Sequence, residues 1–183
     1  MPIHPYFDPD HLYFVTTNAE RHAHLFRHES IIRILLDSLH FLRTDARMLL
    51  FVFVIMPNHI HFIAKFSKEY TLADMMRDFK RHTARQMIRQ LRAEDQTQTL
   101  ALLQSFNKDL RQDLKVWEDS YDGRNVFSLK FLEQKMNYIH YNPCRSHWNL
   151  ATAPEEYPWS SAGFYIADKP CVIPVDDVRE LLV

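Results

Sequence analysis

Glycine is nearly absent, with two residues in a chain of 183. Loops that wrap a phosphate in backbone amides need several glycines, because only they let the main chain come so close. The Walker and dinucleotide-binding loops are therefore both excluded. Cysteine is as scarce, and Cys144 and Cys171 form no CxxC pair. That speaks for a reducing compartment and against a disulfide framework. Neither sign of charge dominates, the formal net charge being −1. Nucleic-acid binders are usually basic overall, so any such role must rest on local patches. Long apolar runs are missing too: the longest, residues 48–56, is too short to span a bilayer as a helix. The first residues, MPIHPYFDPDHLYF, lack a basic segment leading into an apolar one, so no leader is expected and the cytoplasm is the expected address.

What is there is the composition of an ordinary globular chain, 46% hydrophobic and 25% charged. Residues 11–17 (HLYFVTT) read as a first strand. Over 30–42, Ile31, Ile32, Leu35, Leu36, Leu39 and Leu42 recur at helical spacing. Residues 48–56 (MLLFVFVIM) suit a buried central strand, and Pro57-Asn58 marks a tight turn. Residues 59–66 then alternate, with Ile60, Phe62, Ala64 and Phe66 on one face and His59, His61, Ile63 and Lys65 on the other. The apolar stripe over 72–92 predicts a second helix. Residues 93–113 read as a connection of no assigned structure, and 114–121 as a fourth strand or edge segment. A third helix over 127–141 must stop near Asn142, because a residue before proline is driven out of the α region. The order β-α-β-β-α-β followed by a helix predicts an α+β fold of the ferredoxin-like, split βαβ kind. Its antiparallel sheet is expected to carry helices on one face and leave the histidine face open. Pro154, Pro158, Pro170 and Pro174 suggest that 151–183 is an ordered extension to a domain spanning 1–150.

Three groups of residues could carry chemistry. His59 and His61, two apart on a strand, project from one face and can reach a single divalent ion. An H-x-H is expected about once by chance in a chain this rich in histidine, and partly buried sheet histidines are the alternative. A second such pair, His22 and His24, reads as a polar loop. Tyr138 and Asn142 share a helix face, with Gln134 and Lys135 a turn earlier. A phenol can attack a phosphate and an amide oxygen can join two imidazoles around an ion. The commoner outcome for such spacing is that the tyrosine packs on the sheet and the asparagine ends the helix. A zinc site built on His140 and Cys144 is disfavoured by Pro143, which breaks the register between them. Arg77, Lys80, Arg81, Arg85 and Arg89 line the helix over 72–92, either as a ridge that follows a phosphate backbone or as a solvated face.

Taken together, the motifs are familiar. VIMPNHIHF at 54–62 resembles the HUH segment of single-strand insertion-sequence transposases. NYIHYNP at 137–143 resembles the YIHxNP segment of REP-associated tyrosine transposases, with VWE at 116–118, FLEQK at 131–135 and EYPWSSA at 156–162 in support. The resemblance implies a catalytic domain over 1–150 with the tyrosine on a C-terminal helix. It implies a divalent ion, magnesium or manganese, held by His59, His61 and Asn142. It implies Tyr138 as the nucleophile that cleaves single-stranded or hairpin DNA, leaving a 5′-phosphotyrosine. No membrane partner is expected, and a homodimer is a candidate assembly. The arginine-rich helix would be the DNA-binding surface. The alternative is a non-catalytic regulator that binds hairpin DNA. Cys144, Arg145, Ser146, His147 and Trp148 depart from the small-residue stretch that usually follows the family's Asn-Pro.

Overall fold

The computed structural model describes residues 7–107 and 114–182. Four strands form one sheet in the order β2-β3-β1-β4: β1 (Leu12–Asn18), β2 (Met48–Met56), β3 (His59–Phe66) and β4 (Asp122–Val126). All three pairings are antiparallel, giving the split βαβ arrangement that the element order predicts. Helices α1 (Glu29–Thr44) and α2 (Leu72–Ala93) make the two crossovers, and α3 (Thr97–Ser105), α4 (Leu129–His140) and α5 (Ala162–Ala167) follow.

β2 and β3 turn back on each other through Pro57-Asn58, so Met56 pairs with His59. One irregularity interrupts that ladder between Leu50 and Val52. With Phe51 as the extra residue, Leu50, Phe53 and Ile55 face one side of the sheet while Phe51, Val52, Val54 and Met56 face the other. On the first side, α1 and α2 seat Ile31, Leu35, Leu39, Met75, Met76 and Phe79 against the strands.

The second side is not open, as the sequence suggested. Phe14, Phe51, Val54 and Ile63 are covered there by Leu132 and Ile139 of α4 and by Tyr157 and Val178 further along the chain. The prolines of 151–183 carry no periodicity, which is why this second layer is invisible in the sequence. That segment is tied along the outer side of β2. Ile55 N–H donates to the Trp159 carbonyl at 2.8 Å, the Tyr157 hydroxyl to the Ile55 carbonyl at 2.8 Å, and Asp176 N–H to the Leu50 carbonyl at 2.7 Å.

The fourth strand also lies elsewhere than expected. Residues 114–121 contribute one isolated bridge, Trp117 to Ala19, and the strand is the polar DGRNV that follows. Gly123 within it faces the start of α2, where an added Cβ would come within 2.7 Å of the Leu72 side chain. The connection over 93–113 contains α3, and its residues 108–113 lie outside the described ones, as do the first six residues of the N-terminal stretch.

Candidate active site

Pairing between β1 and β3 sets the site. Thr16 lies opposite His61 and Asn18 opposite His59, all on the face that α4 covers. Thr16 Oγ1 and His61 Nδ1 are 2.7 Å apart. A proton on Nδ1, donated to Thr16, leaves His61 Nε2 with a lone pair, and that nitrogen is buried with no hydrogen-bond partner. Buried polar atoms are nearly always satisfied, so an orphan of this kind needs an explanation.

The tautomer of His59 follows from its neighbour. Asn58 Nδ2 donates to the His22 carbonyl at 3.2 Å, which fixes the orientation of the amide. Its Oδ1 then faces His59 Nδ1 at 2.6 Å and can only accept, so Nδ1 carries the proton and Nε2 the lone pair. The two rings lie nearly edge to face, 4.6 Å between centres. Burial, and then the neighbouring His22 and His147, pushes His59 down to about 4. His61 is held well below the ordinary value by burial first, then by the charges of His59, Lys135 and Arg145. Both are neutral imidazoles near pH 7, the state in which histidine binds metal.

Helix α4 begins where the Ser128 hydroxyl accepts from Phe131 N–H, a cap that stabilises a helix by about 1 kcal/mol. It buries Leu132 and Ile139 on the sheet and sets the Tyr138 ring 5.2 Å from that of His61 and 6.0 Å from that of Phe14. The Arg145 guanidinium lies 4.4 Å from the centre of the Tyr138 ring and Lys135 Nζ 5.5 Å. A single turn of 3-10 helix, Asn142–Cys144, follows and buries Asn142. His59, His61, Tyr138 and Asn142 thus line one cleft of about 310 Å³. Tyr141, three residues on, is half exposed and does not line it.

The same cleft gathers residues that sequence reasoning missed: Thr16, Asn18, His22, Asn58, Arg145 and Trp148. His22 is among them although its pair reads as a polar loop, and His24 packs near Trp148, 5.6 Å between ring centres. Only the strand register and the chain's return after α4 bring these together. The extra histidine pair and the unusual stretch after Pro143 were the available signals.

Other candidates fall outside. His140 Nε2 bonds to the buried Ser161 hydroxyl at 3.0 Å, on the far side of α4. The α2 cations stand on the helix layer behind the sheet, since α2 packs on the face opposite the histidines. Arg77 pairs with Asp74 and Asp78, and Arg81 with Asp78. Lys80 Nζ donates to the carbonyls of Glu118 and Ser120 at 2.9 and 2.7 Å, while Arg85 and Arg89 are exposed.

Among the described residues, no three of His, Cys, Asp or Glu gather as metal ligands. A cation here would therefore take two imidazole nitrogens and further oxygens from the Asn142 amide or a substrate. The orphaned Nε2 of His61 fits such an ion.

The family model for IS200-like transposases matches residues 10–142. A solved REP-associated tyrosine transposase bound to a REP hairpin shares the fold. It has 17% identity and a TM-score of 0.62, over 96% of this chain and 92% of that one. A candidate transposase from Deinococcus radiodurans R1 aligns at 18% identity and a TM-score of 0.47, over 76% of this chain and 93% of that one. No curated protein matches the sequence. The matched span holds β1 through Asn142, with both histidines and Tyr138, and the chain belongs to the IS200-like transposases.

Proposed function

We propose that this transposase cuts and rejoins single-stranded DNA through Tyr138, with a divalent magnesium or manganese ion held by His59, His61 and Asn142. The observation that carries the reading is the pair of neutral imidazoles in the cleft shared with the tyrosine, with His61 Nε2 buried and unpartnered. When bound, the ion would neutralise the non-bridging oxygens of the scissile phosphate. The Tyr138 oxygen attacks phosphorus as its phenolic proton passes to solvent, and the bond to the 3′ oxygen breaks. The products are a 5′-phosphotyrosine and a 3′ oxygen that takes up a proton as hydroxyl. Attack by a 3′-hydroxyl on the phosphotyrosine reverses the exchange and rejoins a strand. Arg145 and Lys135 flank the ring and supply positive charge beside the phosphate.

Hairpin DNA is the substrate class we favour, because the fold relative is bound to a hairpin. Phosphate contacts outside the cleft are assigned to the α2 ridge, chiefly Arg85 and Arg89. Arg77 and Arg81 would contribute less because carboxylates already balance them, and Lys80 least because its ammonium holds the 118–120 loop.

The test is to incubate the protein with hairpin DNA carrying single-stranded flanks, with manganese or with chelator, and to map any covalent adduct by peptide mass. The expected adduct is on Tyr138, requires the metal, is lost in Tyr138→Phe and His59→Ala, and persists in Tyr141→Phe. An adduct on Tyr141, or equal yield in chelator, would overturn the reading. Binding without any adduct would instead make the chain a hairpin-binding regulator.

A further inference from the structure

Just before α4 the surface carries an unusual amount of open aromatic area. Phe127 is 75% exposed, and its ring stacks on that of Phe131 at 5.2 Å between centres and 13° between planes. An apolar residue ahead of a helix cap often packs back on the first turn and stiffens it. Such a staple hides its side chain, whereas this ring keeps most of its face in water. The pair is also not isolated. Lys135 Nζ stands 5.2 Å from the centre of the Phe131 ring and 4.5 Å from that of Phe14, and the same ammonium is 5.5 Å from Tyr138. Phe127, Phe131, Lys135 and Tyr138 therefore form one continuous track of alternating π-faces and charge that ends at the cleft. Arg124, on the neighbouring strand β4, is within electrostatic reach of Lys135.

We propose that the Phe127–Phe131 pair is a stacking platform for unpaired bases of the DNA strand whose phosphate reaches Tyr138. Every base has a π-face, so aromatic platforms beside cations hold single strands with little regard to sequence. A paired stem cannot use the platform, because its bases are already stacked on one another. The track thus selects for single-stranded flank, and Lys135 sits where the sugar-phosphate chain passes from platform to cleft. This inference rests on the reading that Tyr138 attacks DNA.

The experiment measures binding by anisotropy with a labelled hairpin carrying a single-stranded flank and with the same hairpin lacking it. Phe127→Ala is expected to fold normally, since the ring is exposed, and to weaken flanked-hairpin binding roughly tenfold, about the effect of losing one stacked base. Binding of the blunt hairpin is expected to stay within twofold. Phe127→Trp should restore affinity and Phe127→Leu should not, because stacking needs a ring and a staple needs only an apolar side chain. Equal binding by Phe127→Ala, full rescue by leucine, equal losses on both probes, or a change in oligomeric state caused by Phe127→Ala would each overturn the platform. Adduct formation by the parent protein is scored separately. An adduct with no Phe127 effect removes the platform alone, and a Phe127 effect with no adduct removes the catalytic reading alone.

Discussion

Two histidines two residues apart need not do comparable work. His59 is only half-buried, whereas His61 is 4% exposed beneath α4. Alanine at 61 would open a void as well as remove a proposed ligand, so position 59 offers the cleaner test of metal binding. The alternation of residues 59–66 made the shared face of the pair legible. The Thr16 hydroxyl that orients His61 was not, because it comes from a strand 45 residues away whose register no local pattern states. His140 shows a third fate for the same residue type. Burial pushes it down to about 4 from an ordinary 6.5. Between those values the unfolded chain takes up a proton that the folded one refuses, so this residue makes stability rise with pH. The loss on acidification begins near 6.5 and levels off below about 4. From pH 7.5 to pH 5 it amounts to about 2 kcal/mol from this residue. Urea unfolding at both pH values should show a smaller acid penalty in His140→Gln than in the parent protein. Equal penalties would mean that His140 is not the group that refuses the proton.

Among the elements, β3 and α2 were readable because each has an apolar pattern of one period, and β2 because its apolar run is unbroken. β4 was not, since Asp122, Arg124 and Asn125 are set in a partner strand with little to bury. In 114–121, read as a fourth strand or edge segment, Val116 and Trp117 are instead buried as packing beneath α2, where Trp117 Nε1 donates to Thr83. α3 begins in the polar run Thr97-Gln98-Thr99 and buries only Leu103, so it left hardly a trace. The α2 ridge was legible as a sequence but its neutralisation was not, since Asp74 and Asp78 bind Arg77 and Arg81 only once the helix has formed. Replacing Arg85 and Arg89 by glutamine should therefore weaken hairpin binding about equally for different sequences. It should also flatten the dependence of log affinity on log salt by roughly 0.9 per lost phosphate contact. The pair Arg77→Gln and Arg81→Gln should flatten it less. A salt slope identical to the parent's in Arg85→Gln/Arg89→Gln would return α2 to a solvated face.

At the scale of the whole molecule, the sheet has helices and loops on both faces, and the candidate site is made where α4 crosses one of them. No described helix is long and apolar enough to cross a membrane. The second layer matters beyond the site. β2 is the most apolar strand in the chain and stands at the margin of the sheet, and the strap formed by residues 157–176 occupies its outer hydrogen-bonding groups. Without the strap, MLLFVFVIM would present a bare margin free of charge, proline and glycine, the composition from which cross-β aggregates grow. The tail thus covers the margin of β2 that would otherwise be free to pair with another strand. A chain ended at residue 153 should form particles that scatter light and bind thioflavin within hours at concentrations where the full chain elutes as a single sharp peak. Lysine at Val52 and Val54 would not repair it, since both side chains point into the layer the tail helps to close. If the shortened chain instead stayed folded and monodisperse, the protection of β2 would have to come from α4 alone.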